Sequence, residues 1–202
     1  MIMKTKSLTV ALFVGLIAFL MSFDAPTGWF KVGDKPESYD MGIDKGAGQD
    51  GKNAATIKSI DKTILGFGGL MQTCQPGKFL GKRVRMSGYI KTKDVAEWAG
   101  FWLRIDTKEG ERNMPFDNMR DGEKDRSVKG NTDWTKYDIV LDVPLTTEKL
   151  AYGAILAGTG QIWFDNIKFE IVDNSVNTTD ISRVVTEQPE IPVEPVNLDF
   201  EK

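Results

Sequence analysis

In the stretch "EWAGFWLRIDTKEG", residues 97–110, Trp102, Arg104 and Asp106 alternate with Phe101, Leu103 and Ile105. An extended chain sends successive side chains to opposite faces, so one set belongs to a core and the other stands outside it. The outward set has a definite chemistry. A flat indole packs against the C–H face of a sugar ring, while guanidinium, carboxylate and amide groups bind the hydroxyls around it. Further polar candidates come from other strand-like runs: Arg85 and Tyr89 alternate with Val84, Met86 and Ile90 in "KRVRMSGYIKT", and Gln72 lies in "GFGGLMQTC". Asp117 and Asn118 in "MPFDNMR" could close the edge of a cleft. A solvated sheet face, a turn-forming Asp–Asn pair and core-packed tryptophans are the plain alternatives.

The same inventory argues against catalysis. The chain has no histidine and a single cysteine, Cys74, which removes the histidine-assisted hydrolase mechanisms, the commonest zinc ligand and any internal disulfide. Two carboxylates suffice for a glycosidase. Asp94, Glu97, Asp106, Glu109, Asp117, Asp165 and Glu170 are available, but no spacing singles out a pair. No phosphate-binding loop or dinucleotide fingerprint is present. The expectation is a binding protein rather than an enzyme. A net charge of -3 and a pI near 5.2, without clustered Lys and Arg, argue against nucleic acid as its partner.

The elements that must position these residues are strands. Tyr39, Met41 and Ile43 alternate in one, Ala55 to Ser59 form a second, and "WTKYDIVLDV" places Tyr137, Ile139, Leu141 and Val143 on one face. "KLAYGAILAG" and "QIWFDNIKFEIV" follow as strands joined by the turn "GTG". About eight strands with turn signals between them predict an all-β antiparallel sandwich over residues 26–173. No sustained helical period appears in that region. Residues 1–25 carry Lys4 and Lys6 ahead of the apolar run "LTVALFVGLIAFLM", which is shorter than the roughly 20 residues of a membrane span. They predict a helical signal peptide or, if uncleaved, a membrane anchor, and with it export to the periplasm, the exterior or the membrane surface. Residues 174–202 are polar and proline-bearing, a tail that could end in an edge strand at "VNLDF".

The blocks "GWFKVG", "FGGLMQTCQPGKFLGKRVRMSGYIKT", "WAGFWLRID", "NTDWTKYDIVLDVP" and "GTGQIWFDNIKFEIV" together resemble the galactose-binding-domain-like jelly rolls. Many carbohydrate-binding modules share that fold. The resemblance implies a jelly-roll sandwich and a carbohydrate or similar polyhydroxylated ligand, with a cell-envelope protein partner as the alternative. It also implies a structural calcium ion, for which Asp165 in "WFDNIKFE" and Glu201 in "PVNLDFEK" would be oxygen ligands.

Overall fold

The computed structural model describes residues 22–108, 114–121 and 125–181. Among these residues nine strands carry the fold: β1 (Phe30–Gly33), β2 (Tyr39–Asp44), β3 (Ala54–Ser59), β4 (Phe67–Cys74), β5 (Lys82–Thr107), β6 (Phe116–Asp117), β7 (Val128–Val143), β8 (Thr147–Ala157) and β9 (Gln161–Val172). Among the described residues the only helical pieces are single 3-10 turns at Pro36–Ser38 and Gly77–Phe79. Residues 1–21 of the expected export segment lie outside the described residues, as does the tail beyond residue 181; residues 22–25 are not helical, and the Asp24 carbonyl accepts the Ile43 N–H at 2.9 Å.

All pairings are antiparallel, and they form two layers that share one strand. The second half of β5 pairs with β8, which pairs with β4 and then β1; β6 lies on its other side. The first half of β5 pairs with β7 on one side and with β9 on the other, followed by β3 and β2. The runs "KRVRMSGYIKT" and "AGFWLRID", which read as separate strands, are therefore one strand of 26 residues. No glycine or proline interrupts residues 89–99, so nothing in the sequence ends the strand. Instead the register slips between Ile90 and Ala99, and Asp94 adopts φ 52°. Asn131 holds that corner, accepting the Asp94 N–H at 2.8 Å and donating Nδ2 to its carboxylate at 3.2 Å. A bulge of this kind lets one strand pass from sheet to sheet.

The core lies between the layers. Phe101, Leu103, Ile105, Leu70, Leu150 and Leu156 face Val84, Met86, Ile90, Ile139, Leu141, Ile162 and Phe164, all buried. This is the period-two pattern expected from the sequence. Gly88 is required where the layers meet, since a Cβ there would stand 2.8 Å from the Phe101 ring. Trp29 closes one end of the core against Tyr152 and Phe164, at centroid distances of 5.9 and 5.8 Å.

Residues 173–181, which the sequence suggested as the start of a loose tail, make specific contacts. Arg83 Nη1 donates to the carbonyls of Asn174 and Val176, Thr179 N–H to the Val140 carbonyl of β7, and Ile181 N–H to the Phe116 carbonyl of β6. The segment thereby straps one sheet to the other.

Candidate ligand-binding site

The register of the first sheet sets three rows of side chains on its outer face. Phe30, Met71, Gly153 and Trp102 form one row across β1, β4, β8 and β5. Val32, Gly69, Ile155 and Gly100 form the next, and Thr73, Ala151, Arg104 and Phe116 a third. The larger side chains of these rows stand around a depression on that face. The result is a groove of about 450 Å³ bordered by Val32, Met71 and Ile155 on one side and by Trp102, Arg104 and Phe116 on the other, with Asp34 at its end.

Trp102 stands on the outer face, where its alternation with Leu103 puts it, but it is not an open stacking platform. It is only 7% exposed. Its indole lies across Gly153, whose Cβ would stand 3.1 Å from Trp102 Nε1, so the absent side chain makes room for the ring. That Nε1–H is buried and has no acceptor among the described residues. Open aromatic surface at this face comes from Phe30 instead, 56% exposed. Arg104 is held by a two-point contact to Asp106, Nε to Oδ1 at 2.5 Å and Nη2 to Oδ2 at 3.1 Å, and Lys149 adds a second cation at 3.5 Å. The hydrogen bond to Asp106 raises the Arg104 pKa further, keeping the guanidinium charged.

The remaining expected site residues lie elsewhere. Gln72 faces the inner side of the sheet, in the row Gln72, Tyr152, Leu103 and Asp117, where it accepts the Tyr152 hydroxyl. Asp117 is fully buried, accepting the Met119 N–H at 2.7 Å and pairing with Arg126. Asn118 caps the turn that follows, its Oδ1 accepting the N–H groups of Arg120 and Asp121 at 3.0 Å each. The plain reading of "FDN" as a turn is the one realised, and neither side chain borders the groove. Arg85 and Tyr89 lie on the outer face of the other sheet, Arg85 beside Glu170 and Asp138, Tyr89 between Lys136 and Asp165. The sandwich thus separates a set that the sequence suggested as one site. Phe116 and Asp34, which do border the groove, were missed because a two-residue strand and a loop carry no periodic signal.

Asp165 does not fit a calcium ion with the residues described. Its Oδ2 accepts the Gln49 N–H at 3.2 Å and its Oδ1 the Asn166 N–H at 2.7 Å, and Lys52 adds positive charge nearby. Among the described residues no group of three or more His, Cys, Asp or Glu converges, and Glu201 lies outside them. Three of the other carboxylates weighed for catalysis are also engaged: Asp106 by Arg104, Asp117 by Arg126 and Asp94 by Asn131. Cys74, at the exposed end of β4, has a thiol pKa raised by partial burial, which disfavours the reactive thiolate.

No family model matches the chain. Solved structures match it across the described sandwich. The family 22 carbohydrate-binding module and catalytic modules of a Clostridium thermocellum endo-1,4-β-D-xylanase, complexed with xylohexaose, align with a TM-score of 0.55 at 14% identity, covering 76% of this chain and 28% of that one. The family 22 xylan-binding domain of a Paenibacillus barcinonensis xylanase aligns at 0.51 with 13% identity, covering 74% and 90%. The fold is the jelly roll of carbohydrate-binding modules. A curated relative, YbfP of Bacillus subtilis, is an uncharacterised helix-turn-helix-type transcriptional regulator, 40% identical over 177 residues. That match takes in 87% of this chain and 57% of the regulator, so the chain spans little more than half the length of the curated relative it matches.

Proposed function

We propose that this jelly roll is a non-catalytic carbohydrate-binding module whose ligand lies in the groove of the first sheet. The observation that carries the reading is the groove's construction. The apolar side chains of Val32, Met71, Ile155 and Phe116 border it and would cover the faces of a ring, and the Arg104 guanidinium, fixed in place by Asp106, would meet its oxygens. An apolar wall with a few fixed polar groups is the usual composition of a sugar site. The xylan-binding and xylohexaose-bound neighbours share the fold, which supports the ligand class.

We also propose that the module works outside the cytoplasm, a reading that rests on Lys4, Lys6 and the apolar run after them. Fusing alkaline phosphatase after residue 26 tests it: activity in intact cells supports export, and its absence removes the proposal.

Titration calorimetry of the full chain with xylo- and galacto-oligosaccharides tests the groove. Saturable binding that Arg104→Ala weakens by about tenfold, the worth of one charge-assisted hydrogen bond, supports the reading. Absence of binding to a broad glycan panel would instead favour a protein partner on the apolar border formed by Phe30, Val32 and Met71.

A further inference from the structure

We propose a second, independent saccharide site on the outer face of the other sheet, built for an acidic sugar such as a uronate. There the row Lys91, Trp163, Thr56 and Gly42 crosses β5, β9, β3 and β2. Thr56 is small, and the Trp163 indole reaches across β3 to donate Nε1–H to Asp44 Oδ2 on β2 at 2.7 Å. The ring is fixed and its only donor is occupied internally. What it offers a ligand is its partly exposed π surface. Beside it opens a cleft of about 580 Å³. Lys91 and Lys93 border the cleft on one side, Asn131, Thr132 and Asp133 on the other.

The charges in this cleft are not equally available. Asp133 Oδ1 accepts the Trp134 N–H at 2.8 Å, and Lys91 Nζ stays 4.0 Å from that oxygen. Lys93 is exposed and has no ion-pair partner among the described residues. Asn131 spends its amide on Asp94. An incoming carboxylate therefore meets Lys93, which has no ion-pair partner among the described residues, and Lys91, whose ion pair with Asp133 is long at 4.0 Å and solvent-exposed enough to exchange. A pyranose ring stacked on Trp163 would carry its carboxylate to them, which a neutral sugar cannot exploit. This face lies across the sandwich from the groove, and the inference does not depend on the groove binding sugar.

The test is calorimetric titration of the full chain with an oligogalacturonate and with the neutral galacto-oligosaccharide of equal length. The acidic oligomer should bind more tightly, more weakly as salt rises, and about tenfold more weakly to Lys91→Ala/Lys93→Ala. Trp163→Ala should abolish the interaction while thermal melting shows a folded chain. If that variant does not fold, the lysine variant decides alone, since both side chains lie at the surface. Equal affinity for the neutral oligomer, no binding of the acidic one, or unchanged affinity in the lysine variant would overturn the proposal. Loss of binding in Arg104→Ala with retention in the lysine variant would move the ligand to the groove and overturn it equally.

Discussion

Asp117 looks in sequence like a hydrogen-bonding residue at a cleft edge, and its structural role leads to a quantitative prediction. Its carboxylate is 0% exposed and its charge is balanced by Arg126, itself 31% exposed, which also donates Nη1 to the Asp138 carbonyl at 2.8 Å. Replacing Arg126 by Ala leaves a buried carboxylate without its counter-charge. At a separation of 4 Å and an effective dielectric of 20, such a pair attracts by about 4 kcal/mol. Removing one partner of a buried pair costs about 3–5 kcal/mol. The partial exposure of Arg126 lets water compensate, so the lower end applies, about 3 kcal/mol, equivalent to a fall in Tm of about 6–12 °C for a domain of this size. Urea denaturation of wild type, Arg126→Ala and Asp117→Asn/Arg126→Ala measures it. The amide keeps an acceptor for the Met119 N–H while removing the orphaned charge, so the double variant should recover more than half of the loss. A single variant within about 1 kcal/mol of wild type, or a double variant no better than the single, would refute the reasoning.

Other perturbations follow from the same packing. Tyr39 donates its hydroxyl to the Gly158 carbonyl at 2.9 Å, and burial, reinforced by Glu97 and Asp34, raises its pKa to about 12. Above pH 10 the unfolded chain loses that proton while the folded one keeps it. Stability should therefore be full below pH 10 and fall by about 2–3 kcal/mol toward pH 12, with a shallower slope in Tyr39→Phe, read by denaturation at fixed pH steps. Gly153→Ala puts a Cβ 2.0 Å from the Leu70 carbonyl oxygen, a clash with backbone that cannot rotate away. It should cost about 3 kcal/mol and shift the Trp102 fluorescence, measured by melting and emission spectra. Truncation after Asp173 removes the Asn174, Val176, Thr179 and Ile181 contacts and the Asp180 carboxylate that accepts the Phe116 N–H at 3.1 Å; amide exchange at Phe116 should accelerate sharply while the β8 amides stay protected.

The sandwich was legible because its strands are half-buried and alternate. Phe101, Leu103 and Ile105 against Trp102, Arg104 and Asp106 is a face assignment that the structure repeats residue by residue. The alternation, however, fixes which side of its own strand a residue takes and nothing about which sheet that strand joins. Arg85, Tyr89 and Trp102 were all read as outward, and they are, yet on opposite faces of the molecule, because β5 changes sheets at Asp94. Gln72 illustrates the other limit. Its strand ends near the rim, where the inner face admits a polar amide bonded to Tyr152, so polarity alone pointed outward. Trp163 had a usable signal, since Ile162 and Phe164 bracket it as core residues, but its anchor Asp44 lies more than a hundred residues away.

The shared strand has a functional consequence. Because β5 carries Trp102 and Arg104 in its second half and Lys91 and Lys93 in its first, the groove and the lysine cleft hang from one covalent element, on outer faces separated by the core. The core between them, with Phe101 against Gly88 and against Phe164 at 6.2 Å, is packed too tightly to transmit small adjustments continuously. Ligands on the two faces should then bind additively. A polysaccharide carrying both neutral and acidic units gains from such an arrangement in a different way. With two sites on one rigid body, engagement of the first raises the effective concentration at the second, provided that the chain can pass around the edge of the sandwich. The strap at residues 173–181 occupies one of those edges, along β7 and β6, and residues 22–24 line the edge of β2, where the Asp24 carbonyl accepts the Ile43 N–H at 2.9 Å, which among the described residues leaves the β1 edge as the path.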